Sequence, residues 1–146
     1  MKRMDDAEAL FKRGTIISEL WLETKEEEEE GGAATLAAWE KRNSVVISAA
    51  ASLLSNYGNF LKSVRGFSSS AEEMHQKAIR LSEKHVGALG NYAKFKMESK
   101  HDFASAEELF KKALDIDAEH GGNLTSYARM LKKMGRFDQA EGIYKR

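Results

Sequence analysis

The sequence predicts an all-α chain made of antiparallel helix hairpins repeated along its length, and three observations carry that prediction. The first is internal repetition. Tyr92-Ala93-Lys94-Phe95 leads to Ala106-Glu107-Glu108-Leu109-Phe110, and Tyr127-Ala128-Arg129-Met130 leads to Ala140-Glu141-Gly142-Ile143-Tyr144. Tyr92 to Tyr127 is 35 residues and Phe110 to Tyr144 is 34, a period expected of helical units that each bury an apolar face against the next. The second is composition: there is no proline, and the abundant Ala, Leu, Glu and Lys favour long unbroken helices. The third is apolar spacing in steps of three and four, the mark of a one-sided helix.

Taken in order, Asp5 or Asp6 is placed to cap a first helix with Ala7, Leu10, Phe11, Gly14, Ile17, Leu20 and Trp21 on one stripe. Its opening, Ala7-Glu8-Ala9-Leu10-Phe11-Lys12-Arg13-Gly14, matches Ala106-Glu107-Glu108-Leu109-Phe110-Lys111-Lys112-Ala113, so it reads as the second helix of a hairpin whose first is missing. Five adjacent glutamates at residues 26–30 and then Gly31-Gly32 predict a solvated acidic loop over 26–32. A second stripe follows at Leu36, Trp39, Asn43, Val46, Ala50, Leu53, Tyr57, Phe60 and Val64. It predicts one helix of about thirty residues, or two nearly collinear ones broken at Asn43-Ser44, ending at Gly66.

From there the repetition is regular. Ser55-Asn56-Tyr57-Gly58-Asn59-Phe60 aligns with Gly90-Asn91-Tyr92-Ala93-Lys94-Phe95, and Ala71 to Ile79 aligns with Ala106 to Leu114, both at an offset of 35. Ser68, Ser69 and Ser70 are placed to cap the helix from Ala71, Gly121-Gly122 separates the next pair, and Gly135 ends the helix begun near Asn123. Small residues recur where two helices of one hairpin cross: Ala71, Ala106 and Ala140, opposite Gly58, Ala93 and Ala128. Large ones, Tyr57, Tyr92 and Tyr127 with His75, Phe110 and Tyr144, are expected to fill the gaps between hairpins.

The irregular part can be sized. Ala71 to Ala93 and Ala106 to Ala128 are 22 residues, whereas Ala7 to Gly58 is 51, an excess of 29 at the tip of one hairpin. If both flanking helices continue, each gains roughly 18 Å at 1.5 Å per residue. Trp21 and Trp39 lie equally far from Glu30 and should meet across the extended hairpin, packing as core.

This pattern resembles the tetratricopeptide repeat. Leu124, Tyr127, Ala128, Leu131, Gly135, Phe137, Ala140 and Tyr144 fall on that family's eight signature places, with Leu124 where it usually has Trp. Residues 87–120 match with one extra residue near Lys100-His101-Asp102, and residues 52–86 match more loosely. The proline often found after the second helix is Glu83 in one copy and Ala118 in the next. The resemblance implies one helical-repeat domain over 1–146, a right-handed superhelical α-solenoid. It would comprise a partial repeat with an extended hairpin (5–51), repeats at 52–86 and 87–121, and a truncated one at 122–146.

It also implies a concave groove lined by the first helix of each hairpin. The family's groove places fall on Ser52, Ser55, Asn56, Asn59 and Lys62, then Asn91, Lys94 and Met97, then Ser126, Arg129, Lys132 and Lys133. That set contains cations and amides but no acid, which suits an extended acidic peptide or a C-terminal carboxylate. The five residues by which some members grip the acidic tails of heat-shock chaperones would be Ser55, Asn59, Asn91, Gly122 and Ser126; two amides match and all three cations fail. The glutamate run prompts a further expectation, that it screens this basic groove.

Composition narrows the function classes. Lys+Arg and Asp+Glu are 23 each, so no global field draws the chain to nucleic acid or membrane. Zero cysteine excludes disulfides, thiolate metal sites and a cysteine nucleophile, and suits an intracellular, cytoplasmic address. No apolar run approaches a membrane span, and the N-terminus lacks a signal-peptide core. His85 and His120 occupy the same place 35 residues apart, but no two histidines are spaced i, i+4, so their roles are structural and no metal or cofactor is expected. Acid pairs such as Glu72-Glu73 and Glu107-Glu108 recur at helix starts, where the helix dipole accounts for them. No catalytic residue is expected and the chain is not read as an enzyme.

The leading reading is a non-catalytic protein-interaction scaffold holding a partner peptide or helix. An RNA-binding array of pentatricopeptide type shares the period but not the neutral charge or the Ala113-Leu114-Asp115-Ile116-Asp117 ending. A purely architectural subunit is the third reading. No capping helix follows the last helix, so either this is a fragment of a longer chain or the exposed end, including Ile143 and Tyr144, packs on something; a dimer through the C-terminal helix is the expectation.

Overall fold

The computed structural model describes residues 2–145, with Lys2 by its backbone only. Seven α-helices follow one another and no strand occurs among the described residues: α1 (Lys2–Glu30), α2 (Ala33–Phe60), α3 (Ser68–Leu81), α4 (Val86–Phe95), α5 (Phe103–Ile116), α6 (Gly121–Lys133) and α7 (Phe137–Tyr144). Two π-helical turns, Leu61–Arg65 and Lys96–Lys100, extend α2 and α4. The fold is an all-α array of helix hairpins. It divides into two compact units, Met1–Glu83 and Lys84–Arg146.

In the first unit α1 and α2 form the extended hairpin, and Trp21 meets Trp39 across it with ring centroids 5.7 Å apart. Gly14 lets the two helices close: a Cβ there would come within 2.2 Å of Leu53 Cδ1. α2 runs unbroken, and Asn43, the expected break, instead donates its side-chain amide to the carbonyl of Trp39 one turn back at 2.9 Å. The first helix starts ahead of Asp5 and Asp6, which therefore lie inside it and do not cap it. Ser68, Ser69 and Ser70 likewise form the first turn of α3, with Phe67 in the capping place.

The acidic loop expected over 26–32 is not a loop. Helix α1 continues through Glu30, and only Gly31-Gly32 turn the chain, Gly32 at φ 98. Repulsion within the run is relieved by cations already in place. Lys25 lies 3.8 Å from Glu29 and 3.7 Å from Glu40, and Arg80 pairs with Glu26. Lys25 is itself buried and donates to the carbonyl of Arg80 at 2.8 Å, satisfying one of the orphan acceptors at the end of α3. Lys77 adds a 2.9 Å bond to Glu19. Through Glu26 the run thus helps to hold α1 against α3.

The single apolar stripe expected on α1 is also divided. Phe11, Ser18, Leu22 and Lys25 face inward, whereas Leu10 (67 % exposed), Ile17 (59 %) and Leu20 (62 %) face out. With α2 and α3 covering one side, the 3.6-residue period turns these three away.

The second unit has the regular packing. Ala93, Ala106, Ala128 and Ala140 are buried, and they surround Phe110, Met97, Met130 and Leu131 in one core. Tyr92 and Tyr127 are buried too, as are Tyr57 and Ala71 in the first unit. Tyr144 is the exception among the expected core residues, at 56 % exposed. Its counterpart Phe110 is covered by Tyr127 of the following hairpin.

The extra residue of the 35-residue spacing lies in the π turns. After α6 the chain closes with Arg136 N–H on the carbonyl of Leu131, five residues back, at 2.9 Å. After the π turns the same closure spans six residues, from Phe67 to Leu61 at 3.0 Å and from Asp102 to Lys96 at 3.1 Å. Each ends in a left-handed residue: Gly66 (φ 71), His101 (φ 53) and Gly135 (φ 73).

Candidate protein-interaction surface

The residues assigned to a groove by resemblance fall in both units. Asn56, Asn59 and Lys62 belong to the first, on α2 and its π turn; Asn56 is exposed and the other two half-buried. Asn91, Lys94, Arg129, Lys132 and Lys133 belong to the second, on α4 and α6. Of the further positions implied, Ser55, Met97 and Ser126 are buried and offer no surface.

In the second unit the sequence fixes how α4 and α6 stand together. Each starts at a histidine that caps it: His85 Nδ1 accepts from the N–H of Ala88 at 3.0 Å, and His120 Nδ1 accepts from that of Asn123 at 3.2 Å. This accounts for two histidines at one place in successive repeats. Asn123 is buried and donates to the carbonyl of Val86 at 3.3 Å, tying the start of α6 to the start of α4. Gly90 makes room for it, since a Cβ there would lie 1.8 Å from Asn123 Oδ1.

The back of α6 is held against α5. Phe110 and Tyr127 stack at 5.7 Å, and the Tyr127 hydroxyl donates to Glu107 at 2.9 Å. Arg136 grips the same carboxylate through two nitrogens at 2.6 and 3.1 Å, and Lys111 reaches it at 3.0 Å. The Arg136 guanidinium is the main reason the Glu107 carboxyl is held down at about 2, with Lys111 and Tyr127 contributing. Burial pushes the Tyr127 phenol up to about 12, reinforced by its bond to Glu107. Nothing in the sequence flags this cluster beyond Glu107 recurring at a helix start.

On the outward side, Asn91 and Lys94 lie three residues apart on α4, both half-buried, and Arg129 and Lys133 lie four apart on α6, both exposed. The two helix faces adjoin, because Arg129 reaches Glu98 of the second π turn at 3.0 Å. Glu98 is therefore an acid in a surface that resemblance lists without one. Lys132 departs from the group: its ammonium stands 5.9 Å from the centre of the Tyr144 ring on α7. Among the described residues, no group of three or more His, Asp or Glu converges to hold a metal, and no helix is long and apolar enough to cross a membrane.

No curated protein matches the chain. A family model does: the tetratricopeptide repeat matches residues 99–146, the stretch holding α5, α6 and α7. That stretch carries the buried Ala106, Ala128 and Ala140, the Phe110–Tyr127 stack and the closure at Gly135 described above. Residues 99–146 carry a tetratricopeptide repeat, and the all-α array of helix hairpins among the described residues is consistent with that kind of repeat.

Proposed function

We infer that the chain is a non-catalytic protein-interaction module whose binding face in the second unit takes an acidic peptide or helix. One observation carries this reading: Lys94, Arg129 and Lys133 share adjoining faces of α4 and α6 with the amide of Asn91, and Glu98 is the acid placed among them. Extended acidic chains suit such a face, because lysine and arginine bind carboxylates while asparagine bonds a peptide backbone. Asn56, Asn59 and Lys62 offer the same residue types in the first unit. The Arg129–Glu98 pair is exposed and of small worth, so an incoming carboxylate can replace Glu98 at little cost.

The test is binding of a glutamate-rich peptide to the full chain at low salt, with Lys94→Glu/Arg129→Glu as the comparison. The double variant should bind at least about tenfold more weakly, a loss of about 1.4 kcal/mol. Equal binding by both proteins would overturn the reading. An RNA shift at physiological salt, abolished by the same double variant, would favour the pentatricopeptide-like alternative. A purely architectural role is supported separately by Phe137, 63 % exposed, and Tyr144 on α7, which suit self-association through the C-terminal helix.

A further inference from the structure

The outward face of α1 has a pattern that neither the hairpin nor the binding face uses. Leu10, Ile17 and Leu20 are all exposed, and Arg13 completes a 3-4-3 spacing with them. Extending the spacing in both directions adds Arg3 and Asp6 before it and Thr24 and Glu27 after it. This is an a/d heptad seam without a partner, flanked by a further exposed apolar residue, Ile16 (68 %).

Charge decides what fits the seam. The acids of α1 that face its own unit are engaged: Asp5 and Glu8 by Arg65, Glu19 by Lys77, Glu26 by Arg80 and Glu29 by Lys25. Among the described residues, Arg3 and Arg13 near one end, and Glu23 and Glu27 near the other, make no ion pair. Asp6, exposed beside Arg3, offsets one of these charges, and on balance the seam still runs from positive to negative along its length. Acidic residues toward its C-terminal end disfavour an anionic lipid surface. A second copy laid antiparallel matches it: Leu10 meets Leu20 of the other copy twice, Arg13 lays its aliphatic stem over Ile17, and Arg3 stands opposite Glu27. Laid parallel, Arg3 would meet Arg3 and Glu27 would meet Glu27.

We propose that two copies of this chain associate through the outward face of α1, packed antiparallel about a two-fold axis between Leu10 and Leu20. The seam from Arg3 to Glu27 is roughly 36 Å long and a helix is about 10 Å wide. That footprint, roughly 700 Å² over both copies, lies below the size of permanent interfaces, so the dimer is weak and reversible. Arg13 at the two central layers holds the register and limits affinity, as a polar residue at one seam position does in coiled coils.

Sedimentation equilibrium of the full chain across the micromolar to millimolar range tests this, with helicity by circular dichroism to confirm that each variant folds. Leu10→Lys/Leu20→Lys should raise the dimer dissociation constant at least about tenfold, and Arg13→Leu should lower it. Arg3→Glu and Glu27→Arg should each weaken the dimer, and their combination should restore it, which only an antiparallel pairing predicts. A chain that stays monomeric throughout would overturn the proposal. So would a dimer indifferent to the Leu10 and Leu20 changes but lost with Phe137→Lys/Tyr144→Lys. A dimer indifferent to both single charge reversals would overturn the antiparallel register.

Discussion

The two units solve one packing problem with the same side chains at matched places and with different supports. In the second, Phe110 stacks on Tyr127 at 5.7 Å; in the first, Phe11 stacks on Tyr57 at 5.2 Å. Beside each stack an arginine grips a glutamate at the start of the pattern, Arg136 on Glu107 and Arg65 on Glu8. The arginines are not equivalent in sequence. Arg65 precedes the left-handed Gly66, while Arg136 follows the left-handed Gly135. What recurs is a place for a guanidinium, reached from whichever side of the turn supplies one. The units differ most in the hairpin crossings: the first has Gly58 against a fully buried His75, where the second has alanines and Phe110.

The largest test of this comparison removes the stacking ring. Phe110→Ala should cost about 3–5 kcal/mol by chemical denaturation, because the ring is wholly buried. Phe11→Ala should cost clearly less, since Phe11 is only half-buried. Equal losses would mean that the two stacks are not energetically distinct. Next come the close approaches. Gly90→Ala must displace Asn123 from Val86, and Gly58→Ala brings a methyl within 3.0 Å of the Ala71 carbonyl; each should cost about 1–3 kcal/mol in a thermal melt.

The carboxylate clamp gives a smaller effect with a defined pH window. Glu107 is held at about 2 against an ordinary 4.5, so its contribution is complete above about 4.5 and fades as pH falls toward 2. Glu107→Gln should cost about 1 kcal/mol at neutral pH, a modest figure because the pair is partly solvated, and should flatten acid destabilisation across that window. Smallest is the turn at His101, a non-glycine residue at φ 53 where the other two copies have glycine. His101→Gly should raise stability by up to about 1 kcal/mol, and Gly66→Ala should lower it by a like amount.

Much of this architecture is legible in the sequence because hairpin crossings and interhairpin gaps demand sizes, and sizes repeat. Tyr92, Ala93, Ala106, Phe110, Tyr127, Ala128 and Ala140 are interior for that reason. The meeting of Trp21 and Trp39 follows from counting along two helices of equal pitch. What the sequence hides are pairings with distant partners. Five glutamates in a row look like a loop until Lys25, Arg80 and α2 are in place around them. Leu10, Ile17 and Leu20 look like core because helical spacing identifies a face without saying whether anything covers it. On the binding face, cations are visible from their spacing, but Glu98 beside Arg129 and Lys132 turned to Tyr144 depend on rotamers and on a π turn whose extra residue shows in the spacing without showing where it is absorbed.

Those π turns have a consequence for how the chain keeps its likeness to a family. Each inserts one residue between the helices of a hairpin, yet the next helix still arrives at its crossing with alanine or glycine in place. The insertion changes the phase of the sequence without changing the phase of the structure. A template counting 34 residues falls out of frame at Leu61–Arg65 and again at Lys96–Lys100. The family match opens at residue 99, as the second of these ends, and runs through α6 and α7, a hairpin that lacks such a turn. Helical repeats can thus drift out of register in sequence while each hairpin keeps its own crossing, because the slack is taken up inside a helix and not in the loops.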